Sequence, residues 1–247
     1  MDKRIRIGAV SYLNTKPLLY GIRHSGLMGK IELVEEFPSR IANMLLEDKI
    51  DIGLVPVAII PQLTEAHIIT DHCIGAEGEV ASVAIFSEVP MEEVTRVLLD
   101  YQSRTSVNLA RILLKKWWKK DVELITATED FRSMIGGTTA GVVIGDRALE
   151  RRKISLYTYD LAAAWKAYTG LPFVFAAWVA NKQLPEEFIA EFSRANAFGL
   201  AHLTEVVTEN PYLTYDLATY YTKNISFDWT TEKRAGLKRF LEELQEL

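Results

Sequence analysis

Short apolar segments that alternate with amphipathic ones are the feature that most constrains the fold of this chain. The apolar segments have the length of buried strands, and the amphipathic ones repeat apolar residues every three or four positions, as helices with one buried face do. Such alternation predicts an α/β protein with a largely parallel sheet, or with two such sheets. Strands are predicted at 5–10, 31–36, 51–55, 80–86, 94–100, 122–126, 140–144 and 173–180, and helices at 17–24, 39–48, 106–119 and through much of the chain beyond Pro185.

The composition is that of an ordinary globular protein. The 247 residues, of which 49% are hydrophobic and 25% charged, suffice for one large or two small domains with proper cores. No apolar run approaches the roughly 18 to 20 residues that cross a bilayer, and the first residues lack the apolar stretch of a secretory leader. The single cysteine, Cys73, excludes an internal disulfide and suits a reducing compartment. We therefore expect a cytoplasmic protein without a membrane partner.

The charge distribution argues against a nucleic-acid partner. The net charge is −5, and basic residues are dispersed except for one tract of four lysines around two tryptophans. This tract can be interpreted as a basic aromatic patch or as the solvated end of a helix whose lysines surround partly buried tryptophans, and the second arrangement is the commoner. The tract consists of Lys115, Lys116, Trp117, Trp118, Lys119 and Lys120.

The first candidate site is the loop between the first predicted strand and the first predicted helix. It carries five hydrogen-bonding side chains, and Pro17 suits the first helical turn with Thr15 or Asn14 as the N-cap. In open α/β sheets, the carboxyl ends of strands form the usual ligand crevice. The alternative is a capped turn with scattered polar residues. The five side chains are those of Ser11, Tyr12, Asn14, Thr15 and Lys16.

A second polar loop opens the predicted helix at 106–119. The first turn of a helix offers unpaired N–H groups and a partial positive charge, to which Ser103, Thr105 and Ser106 add hydroxyl donors and Arg104 a guanidinium. This combination predicts a cradle for an anion such as a carboxylate. The alternative is a serine-capped helix whose arginine points into solvent.

Three further residues stand where strands and loops meet. Asp146 follows the predicted strand at 140–144 and could hold a substrate hydroxyl, act as a base or cap the next helix. Ser82 precedes an apolar stretch and either faces the crevice or ends a loop. Thr169 lies in a turn that leads into the last predicted strand.

Several kinds of site have no motif in this sequence. There is no GxxxxGK[ST] or GxGxxG motif for a nucleotide cofactor, and no HExxH, CxxC or GxSxG motif. The four histidines are scattered along the chain, so a metal site is not predicted. We expect no cofactor, and a site built from hydroxyls, amides, backbone groups and at most one carboxylate.

Several segments stand out in order along the chain: Val10-Ser-Tyr-Leu-Asn-Thr-Lys-Pro-Leu18, Pro38-Ser-Arg40, 51–56, Ser103-Arg-Thr-Ser106, Ile144-Gly-Asp146, Thr169-Gly-Leu-Pro-Phe-Val-Phe175, Tyr212-Leu-Thr214 and Gly236-Leu237. Together, over nearly the whole chain, they resemble the chorismate dehydratase family of the futalosine route to menaquinone. The resemblance implies a two-lobed fold like the type-II periplasmic solute-binding proteins, with the ligand cleft between the lobes. Residues 1–87 with 176–247 would form one lobe and 88–175 the other, with the apolar strands at 83–86 and 173–180 as crossovers.

The resemblance also implies a reaction, the loss of water from chorismate to give 3-[(1-carboxyvinyl)oxy]benzoate. We expect the loop at 103–106 to bind one carboxylate of this dicarboxylate, and Ser11, Tyr12, Asn14 and Ser82 to address the other carboxylate and the departing hydroxyl. Thr169 is a further binding candidate. Asn14 and Asp146 are the catalytic candidates, although the substrate's own side-chain carboxylate is an alternative base. A non-catalytic solute-binding protein and the sister enzyme 1,4-dihydroxy-6-naphthoate synthase are the competing functions.

Overall fold

The computed structural model describes residues 4–247 and contains two β-sheets surrounded by helices. Residues 1–3 lie outside the described residues. The predicted first lobe begins with them, and so does the segment that was expected to lack a secretory leader. The strands are β1 (Ile5–Val10), β2 (Ile31–Glu36), β3 (Ile52–Pro56), β4 (His67–Ala76), β5 (Val83–Ser87), β6 (Arg96–Leu99), β7 (Glu123–Thr126), β8 (Thr139–Ile144), β9 (Tyr157–Asp160), β10 (Phe173–Ala180) and β11 (Ser226–Asp228). The α-helices are α1 (Lys16–Arg23), α2 (Pro38–Leu46), α3 (Thr105–Lys116), α4 (Asp146–Arg151), α5 (Leu161–Thr169), α6 (Glu186–Ala201), α7 (Leu203–Glu209), α8 (Leu217–Thr219) and α9 (Thr231–Gln245).

The first sheet has the strand order β11-β4-β10-β3-β1-β2, and the second has the order β7-β6-β8-β5-β9. Five of the nine strand pairs formed within residues 4–247 are antiparallel, so the prediction of a largely parallel sheet is wrong. All eight residues of β10 are buried. A strand that is buried on both faces is apolar whichever way it runs, which is why the sequence pattern did not reveal its direction.

Strand β4 lies between β10 and β11 but was not predicted. Its pairing with β10 contains two irregularities, between Val174 and Ala176 and between Ala177 and Val179. Bulges of this kind interrupt the two-residue alternation by which a strand is recognised in a sequence.

The two apolar strands that were predicted to cross between lobes each lie in one sheet: β5 in the second and β10 in the first. The chain passes from one sheet to the other at 77–82 and again at 161–172, where α5 forms most of the connection. The division of the chain at residues 87 and 175 stays a prediction.

Local sequence explains where the first two helices begin. Thr15 occupies the N-cap position of α1 and Pro17 its first turn, as expected. Pro38 begins α2, and the Ser39 hydroxyl does not cap that helix but donates to the Tyr101 carbonyl at 3.0 Å. Trp165 and Trp178 are fully buried in the core. None of the helices within residues 4–247 has the length and apolar character needed to cross a membrane.

Candidate active site

Residues of both sheets line a cavity. Within the described part of the chain, its lining contains no Lys, Arg, His, Asp or Glu side chain. Its polar lining consists of Tyr12, Asn14, Thr15, Ser82, Ser103, Thr105 and Ser106.

One wall of the cavity is the loop that begins α3. The Ser106 N–H donates to Ser103 Oγ at 3.0 Å, and the Ala58 N–H donates to Thr105 Oγ1 at 3.2 Å. The side chains of Ser103, Thr105 and Ser106 are all buried. The first turn of a twelve-residue helix and three hydroxyl groups therefore meet at the cavity, as the sequence predicts for an anion cradle.

Asn14 and Tyr12, which follow the end of β1, form a second wall of the cavity. Asn14 lies in a 3-10 turn, Leu13–Thr15, and its Oδ1 accepts from the Thr15 hydroxyl at 3.1 Å. The Nδ2 group of Asn14 is thereby left as the donor available to a ligand. The Tyr12 hydroxyl donates to Gln102 Oε1, which joins this wall to the loop before α3.

Gly145 follows the last residue of β8, in the second sheet, and contacts the ring of Tyr12. Its φ of +66° suits glycine, and a Cβ atom there would lie 2.7 Å from Cδ2 of the Tyr12 ring. Any other residue would be strained and would push the ring out of the cavity wall. The glycine in the Ile144-Gly-Asp146 segment thus has a packing role that depends on the contact between the two sheets.

Asp146 does not line the cavity. Its Oδ1 accepts from the Leu13 N–H at 3.0 Å, so the carboxylate is engaged with the backbone just before Asn14. Burial raises the pKa of Asp146 to about 6, against the lowering effect of the Leu13 hydrogen bond and of Lys16.

Three other predicted site residues also lie outside the cavity lining. Ser11 is exposed because its neighbours Val10 and Tyr12 take the cavity side of the extended chain. Arg104 is exposed, and its Nη2 donates to Asn43 Oδ1 at 3.0 Å. Thr169 ends α5, where its hydroxyl donates to the Trp165 carbonyl at 2.8 Å and accepts from the Leu171 N–H at 3.1 Å.

An ion pair that sequence reasoning missed supports the loop before α3. Arg147 Nη2 donates to both oxygens of Asp100, at 2.9 and 2.7 Å, and the Asp100 side chain is fully buried. The Asp100 carboxylate also accepts from the N–H groups of Gln102, at 3.0 Å, and Ile144, at 3.2 Å. Through these contacts the Asp100 carboxylate fixes two segments next to the cavity, the loop before α3 and the end of β8.

A second buried aspartate holds the loop that carries Ser82. The Asp160 carboxylate accepts from the N–H groups of Val80, at 3.2 Å, and Ala81, at 2.8 Å, while Tyr220 donates to Ser82 Oγ at 2.7 Å. Burial raises the pKa of Asp160 to about 6. Asp160 could have been noticed as the N-cap of α5, whereas nothing in the local sequence marks Tyr220.

The described residues offer no metal centre. Between residues 4 and 247, no group of three or more His, Cys, Asp or Glu side chains is placed so that it could hold a metal ion.

The comparisons with known proteins identify the family. The sequence model of the family described as "Menaquinone biosynthesis" matches residues 5–246. This chain belongs to the menaquinone biosynthesis family. Two curated relatives, both named chorismate dehydratase, are similar over nearly their whole length. The one from Thermus thermophilus is 25% identical, with 96% of this chain and 94% of the relative covered, and the one from Campylobacter jejuni is 26% identical, with 95% of each covered.

Solved structures confirm the predicted fold for this member of the family. Protein AF1704 from Archaeoglobus fulgidus has a TM-score of 0.74 at 15% identity, with 98% of this chain and 97% of that chain covered. The Candida albicans CA3427 gene product, described as having the generic periplasmic binding protein fold, has a TM-score of 0.64 at 15% identity, with 99% and 91% covered. The fold is therefore the two-lobed α/β fold of the periplasmic binding proteins, with the cleft between the lobes.

Proposed function

We propose that this protein is a chorismate dehydratase, a carbon–oxygen lyase that removes water from chorismate and releases 3-[(1-carboxyvinyl)oxy]benzoate. The observation that carries the proposal is that Asn14 and the Ser103–Ser106 loop, which belong to two segments of the family resemblance, line one cavity. The two curated relatives of that name support it, because they align with nearly the whole chain.

The cavity suits a dicarboxylate that is bound by neutral donors. Chorismate carries two negative charges, and the protein's net charge of −5 does not attract it from a distance. The hydroxyls of Ser103, Thr105 and Ser106 and the first N–H groups of α3 are the donors that we assign to one carboxylate. Tyr12, Asn14 and Ser82 are assigned to the other carboxylate and to the departing hydroxyl.

The elimination removes a ring proton and expels the ring hydroxyl, which together leave as water. Loss of the proton builds negative charge on the conjugated ring carboxylate, and donors fixed on that carboxylate stabilise it. We assign the Asn14 amide to the departing hydroxyl. The Asp146 carboxylate accepts from the Leu13 N–H and does not line the cavity, which favours the substrate's own side-chain carboxylate as the base.

Incubation of the protein with chorismate tests the proposal. We expect a product lighter than chorismate by one water, with the ultraviolet spectrum of a benzoate, and we expect the Asn14→Ala variant to form it far more slowly. Chorismate that is bound but returned unaltered would contradict the proposal and favour a solute-binding protein. Chorismate that is neither bound nor converted would favour the other competing function, that of 1,4-dihydroxy-6-naphthoate synthase, and the substrate of that enzyme would be tested next.

A further inference from the structure

Leu13, the residue that immediately precedes Asn14, has both of its backbone polar groups held by side chains from distant parts of the chain. Its N–H donates to Asp146 Oδ1 at 3.0 Å, and its carbonyl accepts from the Tyr221 hydroxyl at 3.0 Å. Asp146 is 133 positions away in sequence and Tyr221 is 208 positions away. Leu13 itself is only 8% exposed.

We propose that Asp146 and Tyr221 are positioning residues, which clamp Leu13 so that Asn14 projects into the cavity. The inference rests on the proposed function, and it adds a role for two side chains that do not themselves line the cavity. In this role Asp146 accepts a hydrogen bond and transfers no proton to or from the substrate.

The origin of Asp146 makes its half of the clamp depend on contact between the two sheets. Asp146 begins α4, directly after β8 of the second sheet, whereas Leu13 follows β1 of the first sheet. Tyr221 lies in a π-helical turn, Tyr220–Asn224, that leads into β11 of the first sheet. Only when the two sheets approach each other can Asp146 reach the Leu13 N–H, so closure and placement of Asn14 are coupled.

The surroundings of Asp146 make this contact sensitive to pH. Burial raises the pKa of Asp146 to about 6, so the carboxylate is ionised at pH 7 and gains a proton as the pH falls through 6. A neutral carboxyl group is a weaker acceptor than a carboxylate, and the clamp should therefore weaken in acid. The titratable and charged groups that act on Asp146 or contact its backbone are Tyr12, Lys16, Arg147, Glu150, Tyr212, Tyr220 and Tyr221.

The Asp146→Asn and Asp146→Ala variants separate a clamp from a proton-transferring base. Asparagine keeps a side-chain carbonyl oxygen for the Leu13 N–H, so we expect kcat for chorismate at pH 7 within about fivefold of wild type, with the acidic limb near pH 6 removed. Alanine leaves the N–H without its partner, and we expect kcat to fall about 10²-fold with a smaller change in KM, because the Asn14 amide is displaced. The measurement is kcat and KM from pH 5 to 8.

Tyr221→Phe tests the other half of the clamp without altering a charge. We expect kcat to fall roughly tenfold, because one hydrogen bond to the loop is lost. The matched control is Tyr215→Phe, which removes a hydroxyl that donates to Asn224 Oδ1 at 3.1 Å and should leave kcat unchanged. Because both residues hold one loop, Asp146→Ala combined with Tyr221→Phe should cost less than the product of the two single losses.

Two results would overturn the clamp while the proposed function stands. One is an Asp146→Asn variant as inactive as Asp146→Ala at every pH, which would make the carboxyl group a base. The other is a Tyr221→Phe variant with wild-type kcat. A wild-type protein that leaves chorismate unaltered would instead contradict the proposed function, and the clamp on Asn14 with it.

Discussion

The two walls of the cavity are held in different ways. In the wall at Ser103–Ser106, part of the support is local, since Ser103 accepts from Ser106 and Asp100 accepts from Gln102. The longer-range support of Asp100, from Ile144 and Arg147, comes from the side of the second sheet. In the wall at Tyr12–Asn14, the contacts come from far along the chain, since Asp146 and Tyr221 hold Leu13.

We call the wall at Ser103–Ser106 the preformed wall. The wall at Tyr12–Asn14, which receives a contact from the second sheet, is the conditional wall. The preformed wall keeps the shape of its Ser103–Ser106 turn whether or not the lobes are closed, because the Ser103–Ser106 hydrogen bond and the contacts of Asp100 with Gln102, Arg147 and Ile144 all belong to the side of the second sheet. The Ala58 N–H, which donates to Thr105 Oγ1, adds a contact from the side of the first sheet. The Asn14 wall is complete only when the second sheet is in contact with it. In the proposed function, the preformed wall would dock one carboxylate first, and closing of the lobes would then bring Asn14 to the substrate.

The largest expected effect comes from Asp100, which supports the preformed wall. Asp100→Ala leaves the buried Arg147 guanidinium without its partner and two N–H groups without their acceptor. We expect the free energy of unfolding to fall by about 3–5 kcal/mol, as when one member of a buried ion pair is removed. Denaturant unfolding measures the change.

Glu123→Ala is the matched control for Asp100→Ala. Glu123 pairs with Arg96 at 2.7 Å on the surface of the same sheet, where about half of each side chain is exposed. Its loss should cost under about 1 kcal/mol. An Asp100→Ala protein as stable as this control would contradict the structural role assigned to the Asp100–Arg147 pair.

Asn14→Ala tests the conditional wall, and its effect should appear in turnover and not in stability. Removal of one donor that stabilises developing charge costs about 10²–10³ in kcat in comparable sites. We expect a loss of that order for chorismate dehydration, measured at saturating substrate, with an unaltered unfolding midpoint. Asn43→Ala, which removes an exposed amide outside the cavity, is the control. An unchanged kcat would remove Asn14 from the site.

The sequence predicts well those features of the fold that depend on neighbours along the chain. The bounds of β1, β2 and β10 agree with prediction, and the starts of α1 and α3 lie within a residue or two of it. The direction of buried strands depends on contacts far along the chain, and the predicted direction was wrong for several of them, while β4 was not predicted at all. The sequence could place Thr105 and Ser106 at a helix start, where they line the cavity, because a helix start has a local signature.

The same distinction applies to the site residues. Ser103 and Asn14 line the cavity as expected, whereas Arg104 lies within the same polar segment and points away from it. A loop sequence shows which groups are available but not which side chains face inward. Tyr221 and Asp160 had no local signal of function, because their effect is exerted on backbone groups that are remote in sequence.

The smallest expected effect is that of a substitution at Ser103, which tests whether the Ser103 hydroxyl binds a substrate carboxylate or only caps α3. Ser103→Ala removes the acceptor of the Ser106 N–H, and we expect a loss of about 1 kcal/mol in the free energy of unfolding, as for a helix cap. If Ser103 also binds a substrate carboxylate, KM for chorismate should rise by a factor of about 5 to 10, with little change in kcat, because one neutral hydrogen bond is lost. The control is Ser25→Ala, since Ser25 accepts from the Leu27 N–H at a surface turn outside the cavity. A KM that stays at the wild-type value in Ser103→Ala would show that this hydroxyl only caps α3, and carboxylate binding would then fall to Thr105, Ser106 and the first N–H groups of the helix.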